Sequence, residues 1–431
     1  MKNDIVKMGI ILVVGIIVGS LLLMVSYLLP AGIIEKNINK SIGIFVKEDK
    51  YESDMYNYKN TKLDNFTDAI MLQNASYTGR GSIISKAMNV YRFQNDDEPS
   101  NSLILQMQGK KDSISSYDRY WHGYLIILKP LLIIFSYSDV RVINSIVQPL
   151  IVLAVAILMM KRNKEKYILP YFISVLVISP MTIAKSLQYS TVFYLFNISM
   201  IVMLLYNDKL KEKNRYTLFF LVVGMLTSYF DFLTYPLVTL GMPLMLYFIL
   251  NPHNEIFAFI KSIINKSITW GVGYVGMWIG KVVIGSILLG RNLFSSAASK
   301  FAERTSLEVQ TGNVTILSVF ERNLLRLVNK PYLLLALCIV LYVIYRMIKT
   351  NYKFSKKGFI SFIPYFIISI MPFAWYVVAS NHSYIHSWFT YRVMMITVFS
   401  LLSYVATMFS CVGGKNEKSK RKENSRFDTV L

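Results

Sequence analysis

Acidic side chains are scarce in this chain, and charges of any kind are few. Of its 431 residues only 25 are Asp or Glu, against 46 Lys or Arg, and charged residues make up 16% of the whole. A soluble domain usually carries about 25% charged residues, so an ordinary water-facing surface is excluded over most of the length. Cysteine is nearly absent. Cys338 and Cys411 both fall in apolar runs, so no disulfide framework can staple the polar segments. Three chemical signatures are missing too: a Gly-rich phosphate loop, a His-Glu-x-x-His helix and a nucleophilic-serine motif. Their absence argues against a nucleotide-driven or hydrolytic enzyme. No internal repeat stands out.

What the chain has in abundance is apolar length. Hydrophobic residues reach 54% and mean hydropathy is +0.43, and several runs approach or exceed the ~20 residues that a helix needs to cross a bilayer. Tyr and Phe dominate an aromatic share of 14%, which suits belts at membrane interfaces. In a soluble protein the formal charge of +21 would suggest nucleic acid. Here most of the excess lies in short loops between apolar runs, where it marks the cytoplasmic side, and no nucleic-acid partner is expected.

These patterns predict an all-α polytopic membrane protein of about ten transmembrane helices. The expected spans are 8–29, 140–160, 167–182, 191–206, 216–229, 236–250, 268–289, 332–345, 358–378 and 393–412. Basic stops such as Lys161-Arg162-Asn163-Lys164 orient them, with both termini cytoplasmic in a cell membrane. Residues 1–30 read as a retained anchor, because no small-x-small cleavage site follows the first run. Residues 31–138 form a large first extracytoplasmic loop in which thirteen Lys/Arg nearly balance twelve Asp/Glu. Interfacial helices are expected in it at 79–93 and 120–137, the latter half-buried or re-entrant. Asp96-Asp97-Glu98 before Pro99 reads as a turn. Residues 139–412 make the transmembrane bundle with a second outer loop at 290–331, and 251–266 is a weakly basic inner loop. Residues 413–431 are a basic cytoplasmic tail, suited to anionic lipid headgroups.

The unusual polar residues fall on one side of this arrangement. Asp64 and Asp68 lie four apart in Lys62-Leu63-Asp64-Asn65-Phe66-Thr67-Asp68, on one face if helical. A carboxylate so placed can take a proton from an attacking hydroxyl, and a pair can hold a divalent metal through oxygen; two solvated acids in a polar loop is the plainer reading. Tyr120-Trp121-His122-Gly123-Tyr124 is either an interfacial aromatic anchor or a subsite for a sugar or acceptor. Asp231 is a lone acid at a tight outer turn, where it caps the turn or orients a basic partner. In the last outer turn His382 and His386 have i, i+4 spacing, a weak metal signal without a third ligand. Arg392 follows at the head of the final span, where a guanidinium can pair bidentately with a phosphate at headgroup level. Arg291 and Arg304 in the second outer loop add further phosphate-binding candidates, or are snorkelling residues.

On three of these features the chain resembles the GT-C superfamily of membrane glycosyltransferases, which includes protein mannosyltransferases and aminoarabinose transferases. They are the acids Asp64 and Asp68 soon after span one, the Tyr120–Tyr124 segment before an interfacial helix, and Ser138-Asp139-Val140-Arg141-Val142-Ile143 leading into span two. The chain departs from the pattern in lacking an adjacent Asp-Glu pair, and Gly123 stands where proline is common. The resemblance implies a sugar carried on a polyprenyl phosphate and transferred on the outer face to a glycan, lipid or protein acceptor, with inversion. Asp64 or Asp68 would be the base, and the arginines would stabilise the leaving phosphate.

A transporter or flippase for lipid-linked saccharide is the main alternative. Only Lys281 and the Gly271-x-Gly273-x-x-Gly276-x-x-x-Gly280 run suggest anything at mid-membrane, and that run reads more simply as close helix packing. A non-catalytic subunit of a surface-polysaccharide assembly system is a third reading.

Overall fold

The computed structural model describes residues 2–253, 255–310, 312–349 and 356–408. The end of the last expected span, Cys411 and the 413–431 tail lie outside them. Among the described residues regular structure is helical apart from two short antiparallel pairs, Arg92–Phe93 with Ile114–Ser115 and Glu308–Val309 with Gly312–Asn313, and an isolated bridge between Ser53 and Lys62. Among the described residues seven helical segments are long and apolar enough to cross a membrane: Asp4–Ser26, Tyr137–Lys161, Leu187–Phe230, Ile256–Leu289, Lys330–Lys349, Ser361–Val378 and Ser387–Met408.

The difference from ten has three local causes. Expected spans 191–206 and 216–229 belong to one continuous segment that folds back at Lys213 and Asn214, both at positive φ. Expected span 236–250 is the 13-residue helix Val238–Leu250. Expected span 167–182 is broken into Ile168–Val177 and Pro180–Lys185. Pro180 offers no N–H and disfavours a helical residue before it, and Ser179 takes the left-handed conformation at φ 57°. At 1.5 Å per residue, a ten-residue helix reaches only about 15 Å. Two further expectations are corrected. The loop at 251–266 is helical from Ile256, because Phe257, Ile260, Ile263 and Ile264 extend the apolar pattern through its lysines. The helix at 79–93 shrinks to Ile83–Asn89: Ser82 caps its start after Gly81 at φ 128°, and Val90 at φ 47° ends it.

Contacts sort the helix ends into two groups. At one end Arg162 Nη1 meets Asp208 at 2.9 Å, and Asn251 Nδ2 donates to Asn207 at 3.0 Å. At the other end the 31–136 region gathers with the turns after Phe230, after Leu289 and before Ser387. Gly123 N donates to Tyr229 O at 2.9 Å, Tyr391 Oη donates to Asn60 O at 2.8 Å, and Arg291 pairs with Asp118. The glycine run does serve packing. A Cβ on Gly273 would lie 2.1 Å from Leu221 O, and one on Gly224 2.1 Å from Trp270 O. Helices Arg215–Phe230 and Ile256–Leu289 therefore touch backbone to backbone.

Two features tie the 31–136 region to the bundle. Helix Leu125–Ile134 buries Leu125, Leu128 and Leu132 while leaving Ile127 and Ile134 exposed, and Asn37 Nδ2 donates to the carbonyls of Leu132 and Ile133 at 2.9 Å each. Next, Ser136 and Asp139 form a reciprocal capping box that starts Tyr137–Lys161; such a box satisfies two otherwise orphaned amide donors. One turn on, Arg141 grips Glu48 at 2.8 Å and Asn65 Oδ1 at 2.8 Å. That anchor fixes the start of the next helix, Asn65–Ala75.

Candidate functional site

Asp64 is the N-cap of helix Asn65–Ala75, its Oδ1 accepting from Thr67 N–H at 3.0 Å. Its own N–H donates to Ser186 Oγ at 3.3 Å. Asp68 lies one turn on. Its Oδ2 accepts from Tyr137 Oη at 2.6 Å and Leu187 N–H at 2.9 Å, and its Oδ1 from Gln188 N–H at 3.2 Å. Leu187 and Gln188 open helix Leu187–Lys211, so the Asp68 carboxyl sits on a helix N-terminus, where negative charge is stabilised. Both acids are buried.

The partners divide the pair. Asp68 ties three helices together with both oxygens engaged. Among the described residues the Asp64 carboxyl takes a hydrogen bond of normal geometry from its own helix alone, through the cap at Thr67. Burial pushes Asp64 up to about 7 against the cap bond from Thr67 N–H, and the charge of Asp68 adds to the rise. Burial pushes Asp68 up to about 6, opposed by Tyr137, the Leu187 amide and Arg141. Asp68→Ala is accordingly expected to strand the Leu187 and Gln188 amides and the Tyr137 hydroxyl. At ~1–3 kcal/mol for each buried orphan, a clear drop in melting temperature in detergent should follow; an unchanged melting temperature would rule out the tie.

A shared metal does not fit this pair, because three N–H and O–H donors already point at the Asp68 oxygens. Among the described residues no three of His, Cys, Asp and Glu converge as a ligand set.

Around Asp64 stand groups that the sequence did not single out. The Trp388 indole N–H faces its carboxyl without a bond of normal geometry, and Tyr51 packs on Trp388 with centroids 4.7 Å apart. Tyr189 donates to Lys62 O at 3.2 Å and lies within electrostatic reach of Asp64, Asp68 and Arg392. Arg392 stacks on it, Cζ 4.0 Å from the ring centre. Arg392 is 0% exposed, and among the described residues its acceptors at normal hydrogen-bond geometry are carbonyls: Nε reaches Ile178 O and Nη1 reaches Trp388 O, both at 3.1 Å, while Nη2 has none. Among the described residues no carboxylate pairs with it. Arg326 joins the same wall, bonding Lys59 O and Ser387 Oγ at 3.1 Å.

A second polar cluster lies behind Trp388. His386 and Trp388 rings are 5.1 Å apart, and His382 and His386 rings 4.8 Å. His382 Nε2 bonds Leu233 O at 2.6 Å, and His386 Nε2 accepts from Arg304 Nη1 at 3.0 Å. A carbonyl only accepts and an arginine only donates, so the two imidazoles are opposite neutral tautomers. Burial holds both below the usual histidine range, His386 at about 3, with Arg304 adding to the effect. Asp231 caps the adjoining turn by accepting from Thr234 N–H at 2.9 Å, and burial pushes it up to about 6. Its Oδ1 and both histidine Nδ1 atoms are buried without partners. Tyr120 lies within electrostatic reach of Arg304 and Asp231.

The remaining residues sit elsewhere. Trp121 is 0% exposed and its indole donates to Met277 O at 2.7 Å, which leaves no face for a ligand. His122, at φ 56°, has both ring nitrogens engaged, with Tyr117 O at 2.6 Å and Tyr124 Oη at 3.3 Å. Arg291 is held by Asp118 and Asn89 near helix Ile83–Asn89. Lys281 donates to Met88 O at 2.9 Å, a packing contact.

No family model matches the chain, and neither a curated protein nor a solved structure matches it. The chemistry therefore has to come from the geometry of the site itself.

Proposed function

We propose that the protein is a membrane glycosyltransferase that moves a sugar from a polyprenyl phosphate to a hydroxyl of a glycan, lipid or protein acceptor. One observation carries this reading: a buried carboxyl, pushed up by its burial to about 7, shares Trp388 and Tyr189 with a buried guanidinium that has no carboxylate partner among the described residues. A burial cost of this kind needs a ligand that repays it, and an anion beside a proton donor is such a ligand. In the step, the acceptor O–H gives its proton to the Asp64 carboxylate as its oxygen bonds to the anomeric carbon. The bond from that carbon to the phosphate oxygen breaks, and its electron pair leaves on the polyprenyl phosphate. Arg392, helped by Arg326, stabilises that charge. Single displacement inverts the anomeric centre. Asp68 is a positioning residue.

In this reading the Asp64 end faces outward, both termini are cytoplasmic, and ten crossings result if the two broken or short segments also traverse. Ser113→Cys and Glu165→Cys, each with Cys338 and Cys411 changed to serine, test the orientation. An impermeant maleimide should label position 113 and not 165 in intact cells, and the reverse pattern would overturn it. For the activity itself, membranes containing the protein should move radiolabelled sugar from polyprenyl phosphate into a new glycosidic bond. Label that crosses sealed vesicles with no bond formed would instead make the protein a flippase.

A further inference from the structure

Two arginines near the acid site have no counter-charge among the described residues. Arg119 lies half-buried in the 31–136 region, its Cζ 5.3 Å from the Tyr117 ring centre. Arg304 stands in the last turn of helix Phe294–Thr305. The acids beside them in sequence are already spent: Asp118 pairs with Arg291, and Glu303 with Lys300. The Nε of each arginine is buried without a partner. Arg304 donates to His386, and Arg119 bonds no acceptor among the described residues. A cation taken from water without an anion to meet it costs free energy that a negatively charged ligand can offset.

Tyr120 is within electrostatic reach of both arginines. Its half-buried ring meets Tyr117 edge-on at 5.7 Å and Phe232 at 5.8 Å, an aromatic wall with a few polar groups around it, as in sites for small ligands. Those polar groups suit hydroxyls. Asp231 Oδ1 and His382 Nδ1 are acceptors without partners, and His386 Nδ1, in the tautomer that Arg304 imposes, is a donor without one. A neutral sugar would serve the wall and these three atoms but leave both guanidiniums unanswered. An acidic sugar serves all of them. The cluster reaches Asp64 through the rings of His386 and Trp388, 5.1 Å apart, whereas Arg392 meets Trp388 at its main-chain carbonyl. An acceptor held along Tyr120 thus approaches Asp64 by a route separate from the phosphate on Arg392.

We propose that the acceptor is an anionic glycan, a saccharide bearing carboxylate or phosphate groups, held by Arg119 and Arg304 about the Tyr120 ring. This narrows the acceptor of the glycosyltransferase reading and rests on it, but its test reads binding alone. Purified protein in phosphatidylcholine nanodiscs is titrated with an oligogalacturonate, a phosphomannan oligosaccharide and neutral maltoheptaose. At least one acidic saccharide should bind, the tighter of the two naming the charged group, and its binding should weaken as salt rises. Maltoheptaose should bind far more weakly. Arg119→Gln and Arg304→Gln should each weaken acidic-saccharide binding about tenfold, the scale of one charge-assisted hydrogen bond. Lys36→Gln, which removes an exposed charge from the same region, should not. Because Arg119 bonds no protein acceptor, Arg119→Gln should keep the melting temperature, which separates lost binding from lost fold. The proposal is overturned if neither acidic saccharide binds, if maltoheptaose or ring-less inorganic polyphosphate binds equally well, or if both glutamine variants bind as the wild type does. Specific acidic-saccharide binding by a protein that forms no glycosidic bond would keep the site and remove the transferase reading; transfer to neutral glycans alone would do the reverse.

Discussion

Asp64→Asn is expected to abolish sugar transfer and, at pH 8, to raise the melting temperature. The loss follows from the missing base, at about 10²–10⁴-fold. The gain follows from linkage. Asp64 goes from 3.8 in a free chain to about 7 in the fold, so between those values the folded state binds more protons than the unfolded one. Stability therefore falls as pH rises from about 4 to about 7 and stays lowered above. At ~1.4 kcal/mol per pH unit, the carboxylate destabilises the fold by a few kcal/mol at pH 8. Asparagine carries no charge to bury and still caps helix Asn65–Ala75 through its side-chain oxygen. Melting curves at pH 5 and pH 8 should show the larger gain at pH 8, while wild-type transfer should rise through neutral pH as Asp64 loses its proton. Full transfer by the variant would sink the catalytic role. A lower melting temperature at pH 8 would sink the account of its burial.

Arg392→Lys should lower transfer by about 10²-fold or more, the scale of losing one preorganised donor to a developing anion. A lysine cannot lie flat on Tyr189 while reaching Ile178 O and Trp388 O and keeping a donor free, as the guanidinium does. Loss of charge alone is not the point, since lysine keeps it; the planar fork is what disappears. Arg392→Met gives the companion result. It removes the cation and leaves the Ile178 and Trp388 carbonyls without their donors, so the melting temperature should fall modestly while transfer disappears. Guanidine added to an Arg392→Ala protein should restore part of the rate. Lysine variants with normal transfer would move the phosphate elsewhere, Arg326 being the nearest alternative.

Apolar run length was enough to read the helical class and the presence of several helices long and apolar enough to cross a membrane. It was not enough to find the break at Ser179, because a stretch of the right composition reads as one span until a single proline is weighed. Asp64 and Asp68 were legible as a pair from their spacing. Their different roles were not, since the partners that separate them, Leu187, Gln188 and Tyr137, stand 69 to 120 residues away. Arg392 could be singled out as a charge at the head of an apolar run. Tyr189 and Trp388, which join it to Asp64, look in sequence like any other interfacial aromatics. The Tyr120–Tyr124 segment divides in a way composition does not foretell. Tyr120 lies within electrostatic reach of Asp231 and Arg304 while its ring packs edge-on to His122 and Phe232, and Trp121 and His122 have their polar atoms engaged by protein partners.

The interruption before Pro180 also bears on how this chain can change. A straight rod through 167–185 would keep every side chain so far discussed, yet it would carry the Ile178 carbonyl away from the guanidinium it orients. Inheritance of the site thus depends on a backbone irregularity as much as on its charged residues. Variation at Ser179 or Pro180 would shift the Ile178 carbonyl and so be felt 214 residues further along the chain, at Arg392, without changing either side chain of that pair.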